Sequence, residues 1–97
     1  MAVLQIIRFR ANPDVSDEDM FAANERFQRD VAPHLPGLER REACRSEDGE
    51  WVLVLRYVDM AHATGAGARD TSDVSMQLMS KIDLSSMSAS FLPIVSE

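Results

Sequence analysis

The N-terminal part of the chain shows two hydrophobic patterns in succession, the first typical of a strand and the second typical of a helix. Val3–Arg10 is rich in apolar residues that favour β structure, and the turn sequence Asn12-Pro13-Asp14 follows it. Ser16 is then a predicted helix N-cap, and Leu35-Pro36-Gly37 is a predicted helix end. Between them, apolar residues recur at steps of three and four, as on one face of an amphipathic helix: Met20, Ala23, Phe27, Val31 and Leu35.

The middle of the chain predicts a hairpin of two unlike strands. Leu38–Ser46 is charged at five of its nine positions, which favours the edge of a sheet, where charge discourages pairing with other chains. The charged residues are Glu39, Arg40, Arg41, Glu42 and Arg45. Glu47-Asp48-Gly49-Glu50 predicts the turn, and Trp51–Val58 is the most apolar strand. Because apolar residues occupy both of its faces, we expect both faces to be buried.

Two helical pieces are predicted after the third strand. The first, Met60–Arg69, follows the predicted N-cap Asp59 and is a short or broken helix, since each of its interior glycines costs about 1 kcal/mol relative to alanine. The second begins at a cap formed by Thr71 or Ser72 and places apolar residues on one stripe: Val74, Leu78 and Ile82.

The last strand is predicted at Met87–Val95, after a turn at Asp83-Leu84-Ser85-Ser86. Pro93 cannot donate a ladder hydrogen bond, so this strand is expected at an edge of the sheet. The element order is therefore β-α-β-β-α-β, the ferredoxin-like α+β arrangement, in one domain spanning residues 1–97. It predicts a four-stranded antiparallel sheet with the helices on one face and the first and third strands in the centre.

The predicted third strand is apolar on the face that the helices leave uncovered. Burying Val52, Val54 and Val58 would contribute roughly 1.5–3 kcal/mol for each side chain. The simplest cover for this face is a second copy of the chain, packed sheet on sheet around a two-fold axis. The sequence therefore predicts a homodimer through the sheet face.

Charge and composition exclude several classes of partner. Ten Lys and Arg residues stand against sixteen Asp and Glu residues, for a net charge of −6, whereas proteins that bind nucleic acid draw much of their affinity from a basic face. An anionic membrane surface is excluded on the same ground, and no apolar run exceeds five residues, so we expect no bilayer span. We expect no secretion signal. The single cysteine, Cys44, cannot form an internal disulfide, which favours a reducing cytoplasm.

Most familiar catalytic and cofactor motifs do not fit. Gly65–Asp70 looks like a dinucleotide-binding loop, but it lacks the third glycine and does not directly join a strand to a helix in a parallel unit. His34 and His62 lie 28 positions apart and no Cys/His cluster has zinc-ligand spacing, so no metal is predicted. We expect Cys44 to be an inert thiol on a charged edge strand, and His34 to sit at a helix C-terminus, where the dipole favours a cation.

Three residues are the candidates for a small-molecule site. His62 lies just beyond the third strand, close to Tyr57, where it could move a proton near neutral pH. The alternative for His62 is a solvent-exposed residue in the first turn of a helix, and Tyr57 is either a pocket residue or a core residue. Gln5 is the only polar residue between Val3 and Ile7. If its side chain points to the helix-covered face of the sheet, it must find a partner or bind a ligand.

Four segments resemble the dimeric α/β-barrel superfamily: the opening strand Val3–Arg10, the hairpin Glu47–Trp51, the segment Tyr57–Ala63, and Ile82-Asp83 before the last strand. The resemblance covers nearly the whole chain and rests on turns and strand patterns. The superfamily includes the antibiotic-biosynthesis monooxygenases, the haem-degrading monooxygenases and muconolactone isomerase. It implies a ferredoxin-like subunit that pairs with a second copy into a dimeric α/β barrel.

The resemblance also implies an activity. The antibiotic-biosynthesis monooxygenases oxidise an electron-rich aromatic with O₂ and use neither metal nor flavin, which implies a cofactor-independent monooxygenase, or an isomerase, acting on a small hydrophobic or aromatic molecule. By the same resemblance Gln5, Tyr57 and His62 would bind the substrate, and Tyr57 and His62 would be catalytic. The haem-degrading members use a tryptophan and a histidine in the second helical region. Here Trp51 begins a strand and His62 comes too early, so haem degradation does not fit.

A non-catalytic module is the alternative interpretation. The chain offers no convergent set of acid, base and nucleophile in its sequence. A binding or assembly module of the same fold could therefore hold a metabolite in the same place without transforming it. A ligand cavity between sheet and helices is the feature that favours the enzyme over a fully packed module.

Overall fold

The computed structural model describes residues 1–69 and 72–97, except for the side chains of residues 67–69. The chain forms its strands and helices in the predicted order, with the second helical region divided into two pieces. None of the helices in these ranges combines the length and the apolar character that a bilayer crossing requires. A short 3-10 helix, Ala32–His34, follows the first α-helix. The other elements are β1 (Val3–Ala11), α1 (Asp17–Asp30), β2 (Leu38–Arg45), β3 (Trp51–Tyr57), α2 (Met60–Arg69), α3 (Asp73–Ser80) and β4 (Ile82–Pro93).

The strands form a four-stranded antiparallel sheet in the order β2-β3-β1-β4. The central strands β1 and β3 pair so that Ile7 lies opposite Leu53. The charged strand β2 and the proline-containing strand β4 lie at the two edges of the sheet. One row of backbone groups is unpaired at an edge, so charged side chains and a proline are both tolerated there. The predicted ferredoxin-like fold, with the first and third strands in the centre, is confirmed.

Helix α1 begins at the predicted cap and ends earlier than predicted. The Ser16 hydroxyl accepts a hydrogen bond from the Asp19 N–H at 3.1 Å, and the acidic first turn lies at the positive end of the helix dipole. The helix ends at Asp30 rather than at Leu35. Pro33 lacks an N–H and disfavours a helical conformation in the residue before it, so the chain tightens into the 3-10 turn instead.

The second helical region forms two helices rather than one broken helix. α2 runs without interruption across Gly65, and α3 begins at Asp73 with Ser72, one of the two predicted caps, as its N-cap. The Ser72 hydroxyl accepts a hydrogen bond from the Ser75 N–H at 3.2 Å. The other predicted cap, Thr71, lies outside the described residues, as does Asp70 at the end of the glycine-containing segment.

Strand β4 is longer than predicted, and the turn predicted at residues 83–86 is wrong. The strand begins at Ile82, which pairs with Ala11 of β1. The register between β1 and β4 shifts just before Arg10, and the Ser86 hydroxyl accepts a hydrogen bond from the Arg10 N–H at 2.8 Å. This irregularity interrupts the period of two that marks a strand, which is why the segment has the sequence pattern of a turn.

The helices cover one face of the sheet, and the hydrophobic core lies between the helices and that face. The helix-facing side chains of β3 are all buried: Trp51, Leu53, Leu55 and Tyr57. On the opposite face Val52 and Val54 are only half-buried, and Leu4 and Ile6 of β1 lie beside them. The burial that we expect on both faces of β3 is therefore supplied by this chain on one face only.

Candidate functional site

A cavity of about 380 Å³ lies between the helix-covered face of the sheet and the helices. All four strands and the three α-helices contribute to its walls. Its apolar lining consists of Ile7, Phe9, Phe27, Leu35, Leu53, Leu55, Ala63, Ala66, Leu78, Met79, Ile82, Met87 and Phe91. Its polar side chains are Gln5, Arg41, Tyr57, Thr64 and Ser75. A largely apolar cavity with a few polar groups is typical of a small-molecule site.

The structure places two of the predicted site residues, Gln5 and Tyr57, in the wall of this cavity. Gln5 lies on the helix-covered face of β1, opposite Leu55 of β3. Tyr57 lies two residues further along β3 on the same face, which makes it a diagonal neighbour of Gln5. Tyr57 is only 1% exposed. The side-chain amide of Gln5 makes no hydrogen bond with any of residues 1–69 or 72–97, so this amide is available to a ligand.

The third predicted site residue, His62, lies beside the cavity and is not among the residues that line it. It occupies the first turn of α2, where the Asp59 carboxylate caps the helix. That carboxylate accepts a hydrogen bond from the His62 N–H at 2.8 Å and lies 2.7 Å from the His62 Nδ1. The backbone hydrogen bond, and then the side-chain one, hold the pKa of Asp59 below its ordinary value. The next residues, Ala63 and Thr64, do line the cavity, and the catalytic assignment of His62 stays a prediction.

The ring of His62 packs against Gly37, in the loop before β2. Gly37 has a φ of +78°, and a Cβ added there would lie 2.5 Å from the His62 Cγ. The Gly37 carbonyl also accepts a hydrogen bond from the Val58 N–H at 2.9 Å. Glycine therefore allows this loop to approach both the end of β3 and the first turn of α2.

Arg41 belongs to the cavity wall although its position on a charged edge strand predicts a solvated side chain. It is 6% exposed and lies opposite Leu55 on the helix-covered face. Its Nη1 donates to the Gln28 Oε1 at 2.7 Å, and its Nη2 donates to the Asn24 Oδ1 at 2.9 Å. The Phe27 ring lies against the guanidinium, with 4.7 Å between its centroid and the Arg41 Cζ.

The charge of Arg41 is buried without an ion-paired carboxylate, although Glu25 stabilises it at longer range. Among the residues that the structure describes, no Asp or Glu forms an ion pair with its guanidinium, and its Nε is buried with no hydrogen-bond partner. Burial lowers the pKa of Arg41 to about 10, which leaves the guanidinium protonated at neutral pH. Two sequence signals point to this arrangement. Arg41 and apolar Ala43 are two positions apart, so they lie on the same face of β2. Asn24 and Gln28 are four positions apart, so they lie one turn apart on α1.

Three other side chains that the sequence analysis weighed for chemistry do not line the cavity: Trp51, Cys44 and His34. Trp51 is a core residue, and its ring stacks on Phe9 with centroids 6.2 Å apart. Cys44 is free and exposed on β2, and His34 lies in the last turn of the 3-10 helix, as expected of a residue at a helix C-terminus. Within residues 1–69 and 72–97, no three His, Cys, Asp or Glu side chains are grouped so that they could hold a metal ion.

Solved structures share the fold over nearly the whole chain. The cofactor-independent oxygenase SnoaB from Streptomyces nogalater superposes with a TM-score of 0.78 at 14% identity, over 99% of this chain and 95% of SnoaB. This chain has the SnoaB fold. Rv0793 from Mycobacterium tuberculosis superposes with a TM-score of 0.73 at 19% identity, over 100% of this chain and 98% of Rv0793. A dimeric ferredoxin-like protein of unknown function from Jannaschia sp. CCS1 gives 0.72 at 11% identity, over 97% of this chain and 100% of that protein.

Other matching structures are antibiotic-biosynthesis-monooxygenase-like proteins, so the predicted resemblance is confirmed at the level of the fold. At these identities the similarity establishes the fold alone, because one fold supports many activities. No family model matches the chain, and no curated protein matches it.

Gly37→Ala should destabilise the fold more than Gly49→Ala does. Both glycines have a positive φ, +78° and +93°, so either alanine incurs backbone strain of about 1–2 kcal/mol. Only Gly37 also has a steric conflict, with the ring and the Cβ of His62, since the nearest atom to a Cβ at Gly49 is 3.7 Å away. Urea denaturation of the two variants measures the difference in their free energies of unfolding.

A double variant separates the two effects. Adding His62→Gly to Gly37→Ala removes both the ring and the Cβ of residue 62, which conflict with the new Cβ. Relative to His62→Gly alone, the additional loss of stability should then be recovered while the backbone strain remains. The contact between His62 and Gly37 is refuted when the double variant is as unstable as the sum of the two single variants.

Proposed function

We propose that the chain, as one domain spanning residues 1–97, binds a small hydrophobic or aromatic molecule in the cavity and oxidises it with O₂, without a bound metal or flavin. One observation carries this proposal: a largely apolar cavity of about 380 Å³ contains Gln5 and Tyr57, in the fold of a cofactor-independent oxygenase. The link from fold to reaction is an analogy. The residues in the cavity support it because they can bind the substrate and take part in proton transfer.

The reaction needs no external reductant when the substrate is an electron-rich ring such as a quinol. One oxygen atom of O₂ replaces a ring hydrogen, the other leaves as water, and the quinol supplies all the electrons and becomes a hydroxyquinone. The apolar lining excludes water from the ring, and the Gln5 amide can hold an oxygen substituent. We propose Tyr57 and His62 as the groups that move the protons.

Oxygen uptake with a panel of quinols tests this activity. The wild-type protein is expected to consume O₂ and to release hydroxyquinone in equal amounts. Tyr57→Phe removes the hydroxyl and keeps the ring, and should lower the rate by about 10²-fold or more. His62→Ala tests the second proposed group. His34→Ala is its matched control, because His34 is the other histidine of the sequence, is exposed and has no proposed role in the reaction.

Two results would count against the enzyme assignment. The first is the absence of quinol-dependent O₂ uptake by the wild-type protein. The second is uptake that is unchanged in both Tyr57→Phe and His62→Ala, which would remove these residues from the reaction. Circular dichroism of each variant shows whether a lost rate comes from a lost fold.

A non-catalytic binding or assembly module is the second candidate function. Within the described residues, the cavity lining contains an arginine and a tyrosine but no carboxylate and no histidine. This composition favours binding over acid–base chemistry. Binding of the same quinols without O₂ uptake would assign the chain to this second function.

We also propose that two copies of the chain associate through the uncovered face of the sheet. Ile6, Val52 and Val54 form an apolar centre on this face. Arg8 and Arg56 flank that centre, and both are already ion-paired with glutamates of their own subunit. Packing two such faces together removes their apolar area from water, at about 25 cal/mol per Å². The Jannaschia protein of this fold, which is dimeric, supports the same assembly here.

The exposed thiol of Cys44 supports a location in the cytoplasm. Cys44 is a free cysteine on the exposed side of β2. Because an exposed thiol persists in a reducing compartment and is readily oxidised outside one, we propose that the protein resides in a reducing cytoplasm.

Val54→Glu should convert the dimer into a monomer, because it places a charge at the centre of the proposed interface. Ala22→Glu is the matched control, since Ala22 is exposed on α1, away from the sheet. Sedimentation velocity at micromolar concentration measures both variants. A wild-type monomer, or a Val54→Glu dimer as stable as the wild type, would exclude this interface.

A further inference from the structure

The guanidinium of Arg41 is a buried cation in the wall of the cavity, and its described partners are neutral. A guanidinium has five N–H donors, and here the Gln28 and Asn24 side chains accept from one Nη atom each. The Nε is buried and has no hydrogen-bond partner. The charge has therefore been removed from water, and no described carboxylate forms an ion pair with it. Glu25 interacts with it only at longer range and raises the pKa of Arg41 less than burial lowers it.

We propose that Arg41 binds the acidic group of a monoanionic aromatic ligand, a carboxylate or a phenolate, inside the cavity. This rests on the proposed function, because it requires that the cavity hold a ligand. It narrows the substrate class to a flat apolar ring that carries one acidic group.

A row of side chains across the sheet sets the position of such a ligand. Arg41 of β2 pairs with Leu55 of β3, Leu55 pairs with Gln5 of β1, and Gln5 pairs with Phe91 of β4. All four residues line the cavity. Neighbouring strands lie about 4.8 Å apart, so the Cα atoms of Arg41 and Gln5 stand roughly 10 Å apart, with the side chain of Leu55 between the two residues. An aromatic ring over Leu55 would direct its acidic group to Arg41 and a second polar substituent to Gln5.

A purely structural role accounts for part of this geometry only. Arg41 links β2 to α1 through Asn24 and Gln28, and it packs against Phe27. An uncharged residue of similar length could fill that space without the penalty of burying a charge. A bound anion offsets the penalty and accepts from the Nη hydrogens that Gln28 and Asn24 leave unused, as in other charge-assisted hydrogen bonds.

Isothermal titration with 2-naphthoate and 2-naphthamide tests the role of Arg41. The two probes share a ring and nearly the same shape, and they differ in charge. The wild-type protein should bind 2-naphthoate about 10- to 100-fold more tightly, as expected for a hydrogen bond to a charged group in a buried site. Arg41→Met keeps the length of the side chain and removes its charge. It should abolish the preference while the affinity for 2-naphthamide changes by no more than about threefold.

Two further variants make the test specific. Arg41→Lys keeps the charge and loses the planar donor group, so a reduced preference for 2-naphthoate should remain. Arg29→Met removes a cation from the exposed end of α1, where Arg29 pairs with Asp30, and the preference should equal that of the wild type.

The outcomes separate this inference from the proposed function. Equal wild-type affinities for the two probes, or a preference that survives Arg41→Met, would overturn the anion site and leave the cavity as a binding site. If neither probe binds the wild-type protein, the proposed function fails and the inference fails with it. If Arg41→Met does not fold, the wild-type preference together with its reduction in Arg41→Lys decides the question.

Discussion

The alternation of side chains along β3 is the constraint on which the rest of the structure depends. Because β3 lies between β2 and β1 beneath the helices, its helix-facing residues are at most 6% exposed, and they hold the helices to the sheet: Trp51, Leu53, Leu55 and Tyr57. The same alternation directs Val52 and Val54 to the opposite face, which no helix covers. A subunit therefore has a closed face that can enclose a cavity and an open apolar face that suits a second copy.

On the closed face, a few polar residues distinguish a binding cavity from incomplete packing. The apolar lining can bind a ligand but does not fix its orientation. Arg41 and Gln5, which lie on different strands in the same row of paired residues, can orient it through hydrogen bonds. Tyr57 stands diagonally from Gln5, within the same wall. Both a cavity and a buried charge cost stability, and proteins commonly accept such costs at functional sites. The buried cation of Arg41 is thus explained more simply by a ligand than by the fold.

Sequence periodicity predicted the features that depend on local pattern. The alternation of β3 grouped Tyr57 with the apolar residues of one face, because a strand has only two faces. The alternation of β1 left open whether Gln5 lies on the helix-covered face. The start of β4 at Ile82 was not predicted, because a shift in register with β1 interrupts that alternation. Arg41 was missed because its burial depends on amides of a helix that is distant in sequence. The position of His62 depends in the same way on packing against a remote loop.

Binding of an anionic aromatic at Arg41 can be observed directly by NMR of the arginine side chains during titration with 2-naphthoate. The guanidinium resonances of Arg41 are expected to shift saturably as the ligand fills the cavity, because the Nη hydrogens that Gln28 and Asn24 leave unused gain an acceptor. The resonances of the exposed Arg29 should not move with them. A protein saturated with 2-naphthoate in which the Arg41 resonances stay in place would show that the ligand, wherever it binds, is not held by this cation.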